Sequence, residues 1–475
     1  MCNAFAKLRY WYKGRNKLKI DHDLLINNHK KELSVTINNR LSDTVIERLA
    51  RETNFIKRSR KIPAGCFVNT LMFAEYNQCN ISLPDLVADL NQVYGIDVSK
   101  EALHKRFTRD AVSFLQALLN NLLTQQLESF KTKDLPHHFP CIKIKDSTKF
   151  SLPDNYDNAY SGYNNFSKKN GLMCLQYEYD LVSGSWLSIA ITKGLRNDQQ
   201  DAAETAEAIT SGDLHIRDLG YITPNYLSAL VNKNAFFLNR LPAMAGVFTK
   251  EMKPLDWKAM NKRLNRRQSG SMEIDVFVYE KNLIPCRLIV EQVSDSEYTK
   301  RLQKAYAIAK SRNGGVSELH KIKLRFNTFI TNVSEKILPI KAIRKTYYLR
   351  WQVELVFKTW KSFFNINKVK RVKKERLECQ LLARLLWILI NWQLFKTYNK
   401  LIRNIDRTKG VSVIMFFKRC LKFAVTLRLV LLKRMLIVRW LKDIYIPLII
   451  DCLCEAPVNK KTHYQSLCIN YKSLS

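Results

Sequence analysis

Apolar residues recur along this chain with two periods, and the period changes near residue 141. From 41 to 126 the spacing is helical. Leu83, Leu86, Val87, Leu90, Val93 and Tyr94 share one face, with Ser82 placed to cap that helix and Gly95 to stop it. Ser99 opens a second helix that runs through Leu103, Phe107, Phe114, Leu115 and Leu118. Two helices joined by Gly-Ile-Asp-Val read as a helix-turn-helix. Lys100, His104, Lys105 and Arg109 then lie near the start of its second helix, where phosphate or base contacts are made.

Beyond 141 the alternation is strand-like. In 141–147, CIKIKDS, Ile142, Ile144 and Asp146 share one face. Strand patterns follow at 172–181 and 186–192, a helix at 200–209, and a strand at 214–218 stopped by Gly220. A helix from Pro224 and a strand at 235–238 complete the run. The order β-β-β-α-β-α-β predicts a mixed sheet with helices packed against it. Asp146 and Asp218 then end the first and fourth strands on core-facing positions, and converge if those strands are neighbours. Residues 239–339 form an insertion, with strand patterns at 274–279, 286–292 and 323–331. A basic helix at 297–310 sits inside it and stops at Gly314-Gly315.

Residues 347–361, YYLRWQVELVFKTWK, return to helical spacing. On one helix at about 100° per residue, Tyr347, Arg350, Glu354 and Lys361 fall within about 60°. Leu349, Val353, Val356, Trp360 and Phe364 form a separate apolar stripe. Arg and Glu four apart are by themselves an ordinary surface ion pair. A carboxylate beside two cations and an aromatic is also the set needed to hold a metal ion next to a phosphate. Asp146 and Asp218 tip the reading toward the second: Glu354 becomes the third carboxylate ligand, and Arg350 a phosphate clamp rather than its salt-bridge mate. A basic run, KVKRVKKER at 368–376, separates this helix from apolar C-terminal helices.

Composition narrows the class. The 475 residues suggest about three domains. Hydrophobic content of 46% excludes a mainly disordered chain. Lys and Arg number 78 against 42 Asp and Glu, a net charge of +36, which implies a polyanionic partner, nucleic acid or an anionic membrane surface. Insertion into a membrane is disfavoured: the most apolar run, 381–394, contains Arg384 and is too short to span, and 411–450 is interrupted by cations every few residues. No secretory signal is visible at the N-terminus. Eleven cysteines without a CxxC pair point to reduced, mostly buried thiols in a cytosolic protein.

The spacing Tyr-x2-Arg-x3-Glu-x6-Lys at Tyr347, Arg350, Glu354 and Lys361 resembles the YREK signature of bacterial insertion-sequence transposases of the IS-four family, which are DDE enzymes. Asp146, in IKDST, matches that family's first aspartate and Asp218, in RDLGY, its second. The resemblance spans roughly 41–375 and implies a ribonuclease H-like α/β fold: a mixed sheet with helices, interrupted by a mainly β insertion, plus N-terminal and C-terminal helical regions. The implied organisation is a basic extension at 1–32, a helical DNA-binding region at 33–135 and a catalytic core at 136–238. An insertion at 239–339, the YREK helix at 340–376, and a C-terminal helical region at 377–475, outside the family's motifs and a candidate dimer interface, complete it.

The resemblance further implies cut-and-paste DNA transposition, with Asp146, Asp218 and Glu354 as catalytic ligands of two Mg²⁺ or Mn²⁺ ions. Tyr347, Arg350 and Lys361 would grip DNA near the element's ends. Partners would be the terminal inverted repeats, target DNA and a second copy of the chain in a synaptic complex, in the bacterial cytoplasm at the nucleoid. Trp257, Phe326 and Phe329 are candidates to stack on a flipped base, although ordinary core packing is the better account of each. Asp198 and Asp201 read as loop or helix-cap residues, while Asp213 and His215 fall off the catalytic face. The rival functions are a DNA-binding protein without catalysis, and a metal-dependent nuclease that cuts without joining.

Overall fold

The structure, a computed structural model, describes residues 21–58, 61–74, 81–128, 138–162, 171–242, 244–266, 270–406 and 409–455. Residues 1–20 of the expected basic extension and 456–475 of the C-terminal region lie outside the described residues. The chain forms two compact units: one holds the described residues up to Leu122 and from Glu375 onward, the other is Leu123–Lys374.

The second unit is built on a nine-stranded sheet of order β3-β2-β1-β4-β5-β9-β8-β7-β6. Its first strands are β1 (Ile142–Leu152), β2 (Gly171–Asp180), β3 (Trp186–Lys193), β4 (Leu214–Arg217) and β5 (Phe236–Arg240). β1, β2 and β3 pair antiparallel; β4 runs parallel to β1, and β5 parallel to β4. Helices α1 (Asp198–Glu204) and α2 (Pro224–Asn232) make the crossovers. Three antiparallel strands followed by two parallel ones, in the order 3-2-1-4-5, is the ribonuclease H-like arrangement.

The expected end of the first strand at 147 is corrected. β1 continues to Leu152, because Thr148, Phe150 and Leu152 keep the alternation and are buried, and β2 pairs with the full length from Lys143↔Asp180 to Leu152↔Gly171. Asp146 is therefore mid-strand. It still lies at an edge of pairing, since β4 is only four residues long and its ladder with β1 ends at Lys145↔Arg217.

The intervening segment does not build a sheet of its own. β9 (Phe326–Thr331) pairs antiparallel with β5, and β8 (Ile284–Gln292), β7 (Ser271–Val278) and β6 (Val247–Phe248) extend the same sheet outward. Helix α3 (Trp257–Asn265) buries Trp257, Met260 and Leu264 in a core with Val276, Leu288 and Ile330. Helix α4 (Asp295–Ser311) has no buried residue, and α5 (Glu318–Lys323) occupies the start of the strand expected at 323. Helices α6 (Ile340–Tyr348) and α7 (Trp351–Phe363) close the unit.

The first unit is mainly helical. The helix Leu83–Tyr94 starts on Ser82 in a reciprocal capping box with Asp85 and ends on Gly95 at φ 66°, a left-handed cap that glycine adopts without a Cβ clash. The second helix expected from Ser99 is broken. Lys100–His104 stops after five residues, and Thr108, whose hydroxyl accepts from the Ala111 amide, opens Arg109–Glu128. Between them Arg106 turns inward, 4.0 Å from the Phe55 ring centre. The pair is thus not two full helices across one turn, although Lys100, His104, Lys105 and Arg109 are all exposed.

The apolar run 381–394 lies in the helix Lys374–Ile405 and is buried within the first unit, where it packs with Val413–Leu431 through contacts such as Trp392 on Phe417. No helix among the described residues is long and apolar enough to cross a membrane. Cys66, Cys141, Cys174, Cys286, Cys379, Cys420 and Cys452 are free thiols, the last five of them buried.

Candidate active site

β1 and β4 bring the two aspartates together. Parallel register pairs Ile142 with Leu214, Ile144 with Ile216 and Lys145 with Arg217, so Asp146 and Asp218 are the next step along both chains. Asp218 keeps extended backbone, and the chain then tightens into the turn Leu219–Tyr221. The Ser147 amide donates to Asp146 Oδ1 at 2.8 Å. Burial nonetheless pushes the Asp146 carboxyl up to about 7, with the charges of Asp218 and Glu354 adding to it and Ser147 and Arg350 opposing.

The third carboxylate comes from α7. Leu349, Val353, Val356, Trp360 and Phe364 are all buried, as the apolar stripe requires, and Trp360 packs against Tyr177 of β2 at 5.1 Å between ring centres. Glu354 lies in the first turn and is half exposed.

The single helix expected over 347–361 is corrected. The amides of Leu349 and Arg350 bond three residues back, to Thr346 and Tyr347, and the turn closes α6 before α7 begins. A tightened turn advances about 120° per residue instead of 100°. Residues three apart then eclipse, so Tyr347 stays above Arg350, and its hydroxyl lies beside the charges of Arg350 and Asp218. Its ring is 4% exposed and packs on Phe329 at 5.3 Å, and burial pushes its hydroxyl up to about 12. Lys361 stays on α7, with Nζ donating to the Lys149 carbonyl at 3.4 Å; burial lowers its pKa.

Arg350 stands at the centre. Its guanidinium reaches Glu354 at 3.0 Å, Asp146 at 3.4 Å and Asp218 at 3.9 Å, and its side chain is only 9% exposed. The expectation that Arg350 is not the salt-bridge partner of Glu354 is overturned: it bridges all three acids, because burial leaves it no water to replace them. Among the described residues no three acidic, His or Cys side chains stand close enough to hold a metal ion as they are. The donor set suits one all the same. Three carboxylates are hard oxygen ligands, and one guanidinium leaves two of their charges uncompensated. Asp146, Asp218 and Glu354 are the side chains that could hold a divalent cation, with Arg350 displaced.

The opposite face of the same strands holds residues that the sequence did not single out. Lys145 and Arg217 are both buried. Lys145 pairs with Asp201, which also takes Arg196 at 2.9 Å, and Arg217 pairs with Glu178 at 2.8 Å. Asp201 is thus a buried ion-pair partner and not a cap; Asn197 caps α1. Asp213 pairs with Lys143 at 2.8 Å and His215 Nδ1 meets the Tyr226 hydroxyl at 2.9 Å, both off the carboxylate face as expected. Trp257, Phe326 and Phe329 are core residues: the first two stack on each other at 6.3 Å, and the third meets Tyr347 with its ring tilted. A charged residue directly before each aspartate was the available signal for the buried network.

Residues 137–390 match the family described as Transposase DDE domain. The chain belongs to that family. The transposase is 31% identical over 362 residues to the transposase of insertion sequence element IS231F from Bacillus thuringiensis subsp. israelensis, covering 73% of this chain and 76% of that one. It is 29% identical to the IS231B transposase of Bacillus thuringiensis subsp. berliner, over 79% and 83% of the two chains. With the IS1151 transposase of Clostridium perfringens it shares 27% identity over 84% and 87%. This chain is accordingly an enzyme of DNA transposition of the insertion-sequence type, and its class works with divalent metal ions.

Proposed function

We propose that this transposase excises an insertion sequence by cutting DNA at the element's inverted repeats and joins the freed ends to target DNA, with Asp146, Asp218 and Glu354 as the ligands of two Mg²⁺ or Mn²⁺ ions. One observation carries the reading: a single guanidinium touches carboxylates from β1, from the end of β4 and from α7. A mid-strand position, a strand end and a helix start that are far apart in sequence aim acids at one cation.

Divalent ions held there supply activation of the attacking hydroxyl and stabilisation of the departing oxygen. The side chains do the rest. Asp146 is fixed by the Ser147 amide and by its place in the sheet. Glu354 is aimed by the buried stripe of α7. Arg350 can exchange its carboxylates for a DNA phosphate, which it would take as a two-pronged donor, and Lys361 adds a point charge farther along α7. Tyr347 would join them through its hydroxyl, which lies beside Arg350 and Asp218. Cutting and joining are the same in-line displacement, with water as nucleophile first and the 3′-hydroxyl afterwards, so no covalent protein intermediate is required. Two copies would hold the two ends of the element.

The test incubates the purified full chain with Mg²⁺ and a duplex carrying the inverted repeats that flank its gene. Excised and joined products are expected. Binding with no cut product overturns the catalytic reading, and cuts without joined product make the protein a nuclease.

A further inference from the structure

We propose that Asp198, through Ser147, Gln176 and Tyr221, is a positioning residue that sets the spacing between Asp146 and Asp218. The proposal rests on those two aspartates being metal ligands.

The need arises from the sheet. Pairing between β1 and β4 ends at Lys145↔Arg217, one residue short of both aspartates, so the ladder does not reach across them. A side-chain network does. The hydroxyl of Ser147, next to Asp146, donates to Asp198 Oδ1 at 3.0 Å. Gln176, opposite Ser147 on β2, donates Nε2 to the same oxygen at 3.4 Å. Its Oε1 accepts from the Tyr221 hydroxyl at 2.6 Å, and Tyr221 closes the turn that begins at Asp218.

The other Asp198 oxygen presses on that turn directly. A Cβ placed on Gly220 would lie 2.7 Å from Asp198 Oδ2, so glycine lets the carboxylate sit against the backbone there without moving. Gln176 and Tyr221 are buried, so water cannot stand in for a lost bond. Asp198 therefore holds β1 and β2 with one oxygen and abuts the Asp218 turn with the other. The RDLGY segment acquires a physical reading: Asp218 serves the site, Gly220 admits Asp198, and Tyr221 ties the turn to β2.

The test measures Mn²⁺ binding by titration calorimetry, the Mg²⁺ concentration for half-maximal cutting of the inverted-repeat duplex, DNA binding and urea unfolding. Asp198→Ala and Gln176→Leu are expected to weaken Mn²⁺ binding by about ten- to a hundredfold and to raise the Mg²⁺ requirement in step, with DNA binding unchanged. Asp198→Asn keeps the Oδ1 acceptor and is expected to recover most of the affinity. Tyr221→Phe removes one hydroxyl only, and is expected to shift Mn²⁺ binding in the same direction by less. Should the Ala variant not fold, unchanged Mn²⁺ affinity in Tyr221→Phe overturns the proposal. So does an Asp198→Asn variant as impaired as Asp198→Ala, because that makes the charge itself, and not its hydrogen bonds, the active element. Asp146→Asn separates the two levels: if it keeps wild-type Mn²⁺ affinity, the metal-site reading fails and not the positioning network alone.

Discussion

Adjacent positions on the same two strands carry charge in opposite ways. Lys145 and Arg217 are register partners that face the protein interior, and Asp146 and Asp218 follow each of them by one residue on the other face. On the inner face Lys145, Arg196 and Arg217 meet Asp201 and Glu178 at contact distance, so every buried cation has an acid beside it. On the outer face three acids share Arg350, with Asp146 17% exposed but Asp218 48% and Glu354 53%, so this face is partly open to water. A dry face cannot keep unpaired charge, whereas a face open to water can hold a surplus. That surplus separates the ion pairs that build this sheet from the acids proposed to receive a cation.

The sharpest way to break the contrast is to neutralise the acids one at a time. Asp146→Asn, Asp218→Asn and Glu354→Gln are each expected to lower DNA cutting by about a thousandfold or more while a mobility-shift assay still shows DNA binding. Any one of them that cuts at the wild-type rate removes that acid from the set. The inner face should respond through stability instead. Asp201→Ala strands Lys145 in a dry site and is expected to cost about 3–5 kcal/mol in urea unfolding. Asp218→Asn in the metal-free protein is expected to cost nothing by the same measurement. Equal losses for the two would erase the distinction.

Metal titration probes the outer face alone. Mg²⁺ at a hundred times its dissociation constant is expected to stabilise the wild type by about 2.7 kcal/mol, EDTA to reverse this, and Asp146→Asn to show little of it. The smallest effect concerns Arg350→Gln. Loss of the shared cation is expected to lower metal-free stability by about 1 kcal/mol, and Mg²⁺ to stabilise the variant more than the wild type. Thermal melts with and without Mg²⁺ read both.

Much of this was legible residue by residue. Period-two alternation located the strands β1 to β5, and the helical stripe ending in Trp360 and Phe364 located the buried side of α7. Both are local patterns, set by which side chains must leave water. What the sequence did not show depends on partners distant in the chain. Nothing near Tyr347 shows that Phe329 will bury its ring, and nothing near Ser99 shows that Arg106 will turn inward to Phe55 and interrupt the helix. Arg350 illustrates the same limit. Sequence spacing offers it Glu354 alone, while the sheet adds Asp146 and Asp218 from about 200 and 130 residues away.

The amino-acid sequence by itself determined the chemistry available to this protein: three acids at strand and helix positions, two cations beside them, a strongly basic chain and the motif spacing of its family. Periodicity and residue type are local properties, and they survive without coordinates. Tertiary structure alone decided that β6 to β9 extend the catalytic sheet, that α6 and α7 part at Leu349, that Arg350 bridges every carboxylate, and that Asp198 reaches the Asp218 turn. Those outcomes turn on which charges find partners when water is excluded, and exclusion is a property of the packed molecule.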